Sequence, residues 1–282
     1  VCNPEPRADF IDLFILGEGE EVNLELMDLY KEMKSKGFGK KDFLRRAAEI
    51  DGIYVPSLYK VYYNDDGTVK EIIPQDNVRP IIKKRIIKDF DKVFYPENFV
   101  VPFTDIVHDR ISVEVLRGCI RGCRFCRAGF LYRPFREKSP ETVCREAETL
   151  CGNTGYEEIS LASLSTSDHS EIGKILTELI PYTEKQHINL SLPSLRVDNF
   201  SKELMDEVKN VRKSGLTFAP EAGTQRLRNV INKNVTEEEV MRTCRTAFEG
   251  GYTSVKLYFM LGLPTETDED IVGVTKLAQK IV

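Results

Sequence analysis

From about Ile106 to the end of the chain, strand-like and helix-like runs alternate at short intervals. No other feature constrains the fold as strongly. Ile111 to Leu116 reads as a first strand. Ser139-Pro-Glu-Thr opens a helix, with Ser as the cap and Pro at the first helical position. Glu158 to Leu164 is a second strand, followed by a helix from about Ser170, and Ile188 to Leu192 is a third. Ser201 caps another helix, with Leu204, Met205, Val208 and Val211 on its apolar face. Leu216 to Ala219 is the fourth strand; Thr236-x-x-Glu239 is a capping box, and Gly250-Gly251 ends its helix. Ser254 to Leu261 is the fifth strand, and Thr267 starts the last helix. Such alternation implies an α/β fold of parallel strands with right-handed crossovers. In folds of this kind, active sites sit at the C-terminal ends of the strands.

The first third of the chain is less regular. Asp9 to Leu16 reads as a buried strand, Gly17-Glu-Gly-Glu-Glu21 as a turn and helix start, and Val22, Leu26, Leu29 and Met33 recur at helical spacing. Ile53 to Tyr63 and Val69 to Ile73 are strand-like and flank Asn64-Asp-Asp-Gly67, a hairpin signal. Arg79 to Pro102 mixes charges, prolines and short apolar runs, and is expected to form an extended linker packed over the following domain. The expected division is a βα segment over 1–34, a linker with a hairpin over 35–105, and the main α/β domain over 106–282.

Three of the seven cysteines fall within eight residues, as Cys119-x-x-x-Cys123-x-x-Cys126, on the loop after the first strand. Three thiolates on one loop can hold three irons of a cubane [4Fe–4S] cluster and leave the fourth iron open to a small molecule, whereas electron carriers usually close the site with four cysteines. A structural zinc site on Cys123-x-x-Cys126 is the alternative, but zinc wants four ligands and no second Cys-x-x-Cys exists. Cys2, Cys144, Cys151 and Cys244 are scattered, unlike a secreted disulfide framework, so a reducing, cytoplasmic location is expected. No apolar stretch approaches the about 20 residues that span a bilayer, so no membrane partner is expected. The N-terminus has no apolar secretory region and no Met, and the chain reads as part of a longer protein. A net charge of −5 argues against non-specific nucleic-acid binding, which a local basic patch can override.

The cysteine spacing, its place after strand one, and the aromatic Phe125 before the last cysteine resemble the signature of the radical S-adenosylmethionine (SAM) superfamily. Pro220-Glu221-Ala-Gly223-Thr-Gln-Arg226 at the fourth strand end resembles the Glu-x-Gly-[Ser/Thr]-Gln-Arg stretch of the branch with methylthiotransferases and cobalamin-dependent members. Met260-Leu-Gly262-Leu-Pro264-Thr-Glu266 is similar to the family's Gly-x-Pro-x-Glu turn. The resemblance implies a partial (βα)6-type radical SAM barrel, with five βα units visible and the sixth beyond Val282. It also implies that 1–34 is the tail of a Rossmann-like, cobalamin-binding-type domain. The cobalamin-binding Asp-x-His-x-x-Gly motif is absent from these residues.

The same resemblance assigns roles. Cys119, Cys123 and Cys126 would bind the [4Fe–4S] cluster and Phe125 would lie against the SAM adenine. Glu221 would accept hydrogen bonds from the SAM ribose or amino group, Gly223 would permit close backbone approach, and the turn at Gly262 would meet the adenine. Ser163 and Ser165 stand where many members place Gly-Gly-Glu and can receive the SAM amino group; a capping turn is the alternative. After strand three, Ser194 joins this set, and Arg196 can pair with the SAM carboxylate or form a surface ion pair. Arg117, Arg121, Arg124, Arg127, Arg133 and Arg136 surround the cysteines and can offset cluster charge, contact an anionic substrate, or face water. His108, His169 and His187 read as structural or surface residues.

The implied function is reductive cleavage of SAM to a 5′-deoxyadenosyl radical, with cobalamin-dependent methyl transfer as its extension. The electron would come from a donor such as flavodoxin or ferredoxin, and the substrate class can be RNA or protein. The alternatives are methylthiolation of tRNA or a ribosomal protein, and a non-enzymatic iron–sulfur electron-transfer module.

Overall fold

In a computed structural model of the 282-residue chain, residues 3–104, 106–193, 196–197 and 216–282 are described. The chain divides into two compact units, Val1–Phe94 and Tyr95–Val282. The helix expected from Ser201 lies outside the described residues, as does Ser194.

In the first unit, strand β1 (Phe14–Ile15) pairs antiparallel with β2 (Ile53–Tyr54). The long buried strand expected over 9–16 is only these two residues, because Phe10 and Ile11 are exposed. Helices α1 (Val22–Ser35) and α2 (Lys40–Ala47) share one core of Val22, Leu26, Leu44, Ala47, Ile53, Val55 and Leu58. The boundary expected at 34/35 runs through this core. The hairpin forms as expected, between β3 (Tyr59–Tyr63) and β4 (Val69–Pro74). Asp66 closes its turn by accepting from the amide of Thr68 at 2.9 Å and the hydroxyl of Thr68 at 2.6 Å. The segment expected to pack over the following domain begins in this unit: Arg85 bridges to Gly17 and its guanidinium meets Glu21 and Glu25.

The second unit carries the alternating pattern. Strand β5 (Ile111–Glu114) lies parallel to β8 (Glu158–Ala162), which lies parallel to β9 (Asn189–Ser191). Strand β10 (Leu216–Glu221) lies parallel to β11 (Val255–Phe259). Helix α4 (Pro140–Thr154) crosses from β5 to β8 and α5 (Ile172–Gln186) from β8 to β9. After β10 come α6 (Gln225–Val230) and α7 (Glu237–Glu249), and after β11 comes α8 (Asp268–Ile281). The core lies between strands and crossover helices and includes Ile111, Val113, Ile159, Leu161, Val143, Leu150, Ile175, Leu179 and Phe218. Both expected helix starts are present: the Ser139 hydroxyl accepts from the Thr142 amide, and Thr236 forms a capping box with Glu239. Buried Cys144, Cys151 and Cys244 belong to this core. His169 is also buried; one ring nitrogen accepts from the Glu171 amide, so the other donates to the Lys138 carbonyl. No helix among the described residues is long and apolar enough to cross a membrane.

Candidate functional site

The first expected strand splits at Val115. Its amide donates to the Ala162 carbonyl at 3.1 Å, continuing the parallel pairing, and its carbonyl accepts from the Lys138 amide at 2.9 Å. From there β6 (Leu116–Arg117) leaves the sheet and pairs antiparallel with β7 (Arg136–Glu137). The two-residue ladder closes a loop over 118–135 that holds all three clustered cysteines. Gly118 makes the closure possible. Its φ is +92°, and a Cβ there would stand 2.8 Å from the carbonyl oxygens of both Tyr132 and Pro134. Sequence reasoning missed this glycine, because the need for it arises only once the two loop ends meet.

Inside the loop, the backbone addresses the thiols. The Arg121 amide donates to Cys119 Sγ and the Gly129 amide to Cys126 Sγ, each at 3.4 Å. The second donor opens into the one-turn helix α3 (Ala128–Leu131). Amide donors aimed at sulfur suit thiolates carrying the negative charge of a cluster. Cys123 is buried, and Cys119 and Cys126 are half-buried. Among the described residues, no three His, Cys, Asp or Glu side chains come together as a site for one metal ion requires.

Two neighbouring segments hold the loop. The first is the turn after β8. Asp168, its side chain 1% exposed, receives Arg121 in a fork, with Nε–Oδ2 at 3.0 Å and Nη2–Oδ1 at 2.5 Å. The Ser165 hydroxyl donates to the same carboxylate at 2.7 Å. Burial pushes the Asp168 carboxyl up, but the bonds from Arg121 and Ser165 and the charges of Arg121 and Arg196 outweigh it and hold it below the usual range. The Ser163 hydroxyl meets that of Thr166 at 2.9 Å and accepts from the Ser165 amide. Both serines expected to meet SAM are therefore engaged within the turn.

The second is the turn after α6. Asn232, in the left-handed region at φ +53°, donates from Nδ2 to the Gly122 carbonyl at 2.7 Å, and the Arg124 amide donates to the Ile231 carbonyl at 2.9 Å. Lys233 reaches back to β10, where its ammonium is 3.2 Å from Glu221 Oε1 and 6.0 Å from the centre of the Phe125 ring. Arg196 donates to the Lys233 carbonyl at 3.3 Å. The fold thus gathers Phe125, Arg196 and Glu221 around Lys233, a residue sequence reasoning did not select. The available signal was Asn232-Lys-Asn234, since Asn tolerates the left-handed turn that both asparagines adopt.

The remaining expected residues sit beside this group. The Met260 amide donates to the Glu221 carbonyl at 2.8 Å, bringing the β11 end to Glu221, and the Gly262 amide donates to Glu266 at 2.7 Å. The close approach at Gly223 is to α8: a Cβ would stand 2.2 Å from the Val274 amide nitrogen. Of the six arginines, Arg117 is forked onto Glu114 and Arg121 onto Asp168. Arg124, Arg133 and Arg136 donate to carbonyls of Val230, Arg121 and Pro134, and Arg127 is exposed.

Parallel strands with a three-cysteine loop at their C-terminal end define an α/β partial barrel with a candidate iron–sulfur site. Sequence comparison agrees: the profile of the radical SAM superfamily matches residues 113–278, and that of the N-terminal region of radical SAM proteins matches residues 1–56. The chain belongs to the radical SAM superfamily, whose enzymes use a [4Fe–4S] cluster and SAM. An uncharacterized protein of Methanocaldococcus jannaschii is 30% identical over 278 residues, covering 98% of this chain and 53% of that protein. An uncharacterized methyltransferase of Pyrococcus horikoshii is 24% identical over 96% of this chain and 53% of its own length. The chain thus spans about half the length of these relatives. Among solved structures, the radical SAM methyltransferase TsrM of Kitasatospora setae, with cobalamin and a [4Fe–4S] cluster bound, shares the fold. Its TM-score is 0.64 at 15% identity, over 98% of this chain and 51% of that one.

Proposed function

We propose that this chain is the SAM-cleaving part of a radical SAM enzyme that transfers a methyl group with the help of cobalamin. The observation that carries the reading is the convergence of the three-cysteine loop, Phe125, Arg196 and Glu221 at the C-terminal strand ends of one unit. The methyl-transfer step draws support from the Pyrococcus relative and from the likeness to TsrM. In this reading cobalamin belongs to a Rossmann-like domain of which residues 1–34 are the tail.

When bound, the cluster would supply the electron that cleaves SAM to methionine and a 5′-deoxyadenosyl radical. Cys119, Cys123 and Cys126 hold it, with the amides of Arg121 and Gly129 directed at two of the sulfurs. Phe125, 36% exposed, offers the adenine a stacking surface. Glu221, in a left-handed conformation at φ +68°, pairs through its carboxylate with Lys233, whose ammonium also lies 6.0 Å from the centre of that ring. Glu221 accepts from the SAM ribose or amino group; Arg196 binds the SAM carboxylate, and Ser163, Ser165 and Ser194 complete the set, the first two only as acceptors of the SAM amino group because their turn already engages them. The turn at Gly262 faces the adenine. A flavodoxin- or ferredoxin-like donor supplies the electron, and the acceptor is an RNA or a protein.

The test is anaerobic reconstitution with iron and sulfide, reduction with dithionite, addition of SAM, and chromatography, with Cys123→Ala as control. Formation of 5′-deoxyadenosine by the wild type alone supports the reading. A loaded wild type that never consumes SAM overturns it in favour of an electron-transfer module. Methyl transfer leaves S-adenosylhomocysteine, so its appearance with cobalamin and acceptor supports that step, whereas a methylthiolated acceptor supports the alternative.

A further inference from the structure

The three-cysteine motif says nothing of what orients the loop, yet Arg121 is engaged through three different groups, one of which reaches the turn after the neighbouring strand. Its amide donates to Cys119 Sγ at 3.4 Å. Its carbonyl accepts from Arg133 at 3.2 Å, linking the start of the loop to its end. Its guanidinium forks onto Asp168, on the turn after the neighbouring strand, 47 positions away. Asp168 is almost wholly enclosed and is braced by the Ser165 hydroxyl, so the fork has little freedom to slide. A bidentate Arg–carboxylate pair fixes orientation as well as distance.

We propose that Asp168 is a positioning residue for the iron–sulfur site: it fixes the direction of the Arg121 amide toward Cys119 and cancels the Arg121 charge beside the cluster. The inference rests on the cluster reading above. Outer partners of metal ligands set both retention and electronics of a site, and their loss typically costs about 10–100-fold in metal affinity. Removing the carboxylate leaves the Arg121 charge uncompensated next to a group that becomes more negative on reduction, so reduction becomes easier.

The experiment uses the reconstituted protein without SAM, and two readouts that do not depend on turnover. The first is the cluster midpoint potential from an EPR-monitored titration; the second is the rate of iron loss to a ferrous chelator. In Asp168→Asn the potential is expected to rise, and in Asp168→Ala iron loss is expected to be about 10-fold faster or more. Asp168→Glu, which keeps the charge, should restore the potential even where retention stays impaired. If Asp168→Ala does not fold, the isosteric Asn variant decides. A folded Asn variant with wild-type potential and wild-type iron loss overturns the proposal while leaving the cluster reading intact. A wild type that holds no cluster overturns both.

Discussion

Replacing Gly118 with alanine tests whether the cysteine loop depends on its closed base. Two costs add. The backbone stays at φ +92°, which any residue with a Cβ resists by about 1–2 kcal/mol. The new Cβ meets two carbonyl oxygens at 2.8 Å and the Phe135 Cα at 3.0 Å. These are backbone atoms from the far end of the loop and cannot rotate away, so the two ends must separate. Overpacking of this kind costs about 1–3 kcal/mol. The sum is about 2–5 kcal/mol, and at about 2–4 °C per kcal/mol for a unit of this size Tm should fall by roughly 4–20 °C. Gly155 is the matched control. It caps α4 at φ +73°, also left-handed, but a Cβ there meets nothing within 4 Å. Gly155→Ala should therefore lose only the conformational cost of about 1–2 kcal/mol. Thermal melts of both variants, with iron content after reconstitution, separate the terms: Gly118→Ala should also load poorly, and Gly155→Ala normally. Equal melting shifts and equal iron content in the two would show that the loop base does not shape the site.

Three further outcomes follow from the geometry. Glu221→Gln should weaken SAM binding to the reconstituted protein about 10-fold, the worth of one charge-assisted hydrogen bond, and calorimetric titration at unchanged affinity would remove Glu221 from the SAM site. Asp270 is buried and accepts from Arg226, Thr224 and Thr267, which together hold its carboxyl well below the usual carboxylate range against the opposing effect of burial. Its folded value being depressed, its stabilisation is present above the unfolded value of about 3.9 and is lost as pH falls through the folded one. Asp270→Asn should therefore be less stable in urea at pH 7 yet lose less on going to acid, and parallel melting curves at all pH values would contradict this. Burial pushes the Cys144 thiol up to about 12 and those of Cys151 and Cys244 up to about 11. Native alkylation near pH 8, followed by peptide mass spectrometry, should spare these three while half-buried Cys119 and Cys126 react first.

What the sequence discloses of this fold depends on the range of each interaction. Strand and helix periods are local, and so are caps. The parallel units, the Ser139 and Thr236 helix starts and the hairpin at Asn64–Gly67 were therefore legible before any coordinates. The first strand was legible only in part. Ile111 to Leu116 reads as one strand, yet it changes partner at Val115, because Lys138 returns from the far side of the loop to take the Val115 carbonyl. At the N-terminus the apolar pattern over 9–16 misled. Strand periodicity says nothing about which residues find cover, and Phe10 finds none, being 87% exposed.

The site divides along the same line. Cysteine spacing is a local property of one loop, so the cluster ligands stand out in the chain. The groups that aim and charge them do not: Asp168 meets Arg121 across 47 positions, and Asn232 meets Gly122 across 110. Each of these partners reads, alone, as an ordinary turn residue. They differ from turn residues only because the parallel crossovers bring successive strand ends to one edge of the unit. Here those crossovers set the turns after β8 and α6 against the same loop. The motif thus supplies the ligands, while topology supplies their orientation and electrostatics. A chain with the same three cysteines but a different residue at 168 would keep the signature and, on the present geometry, hold its loop differently.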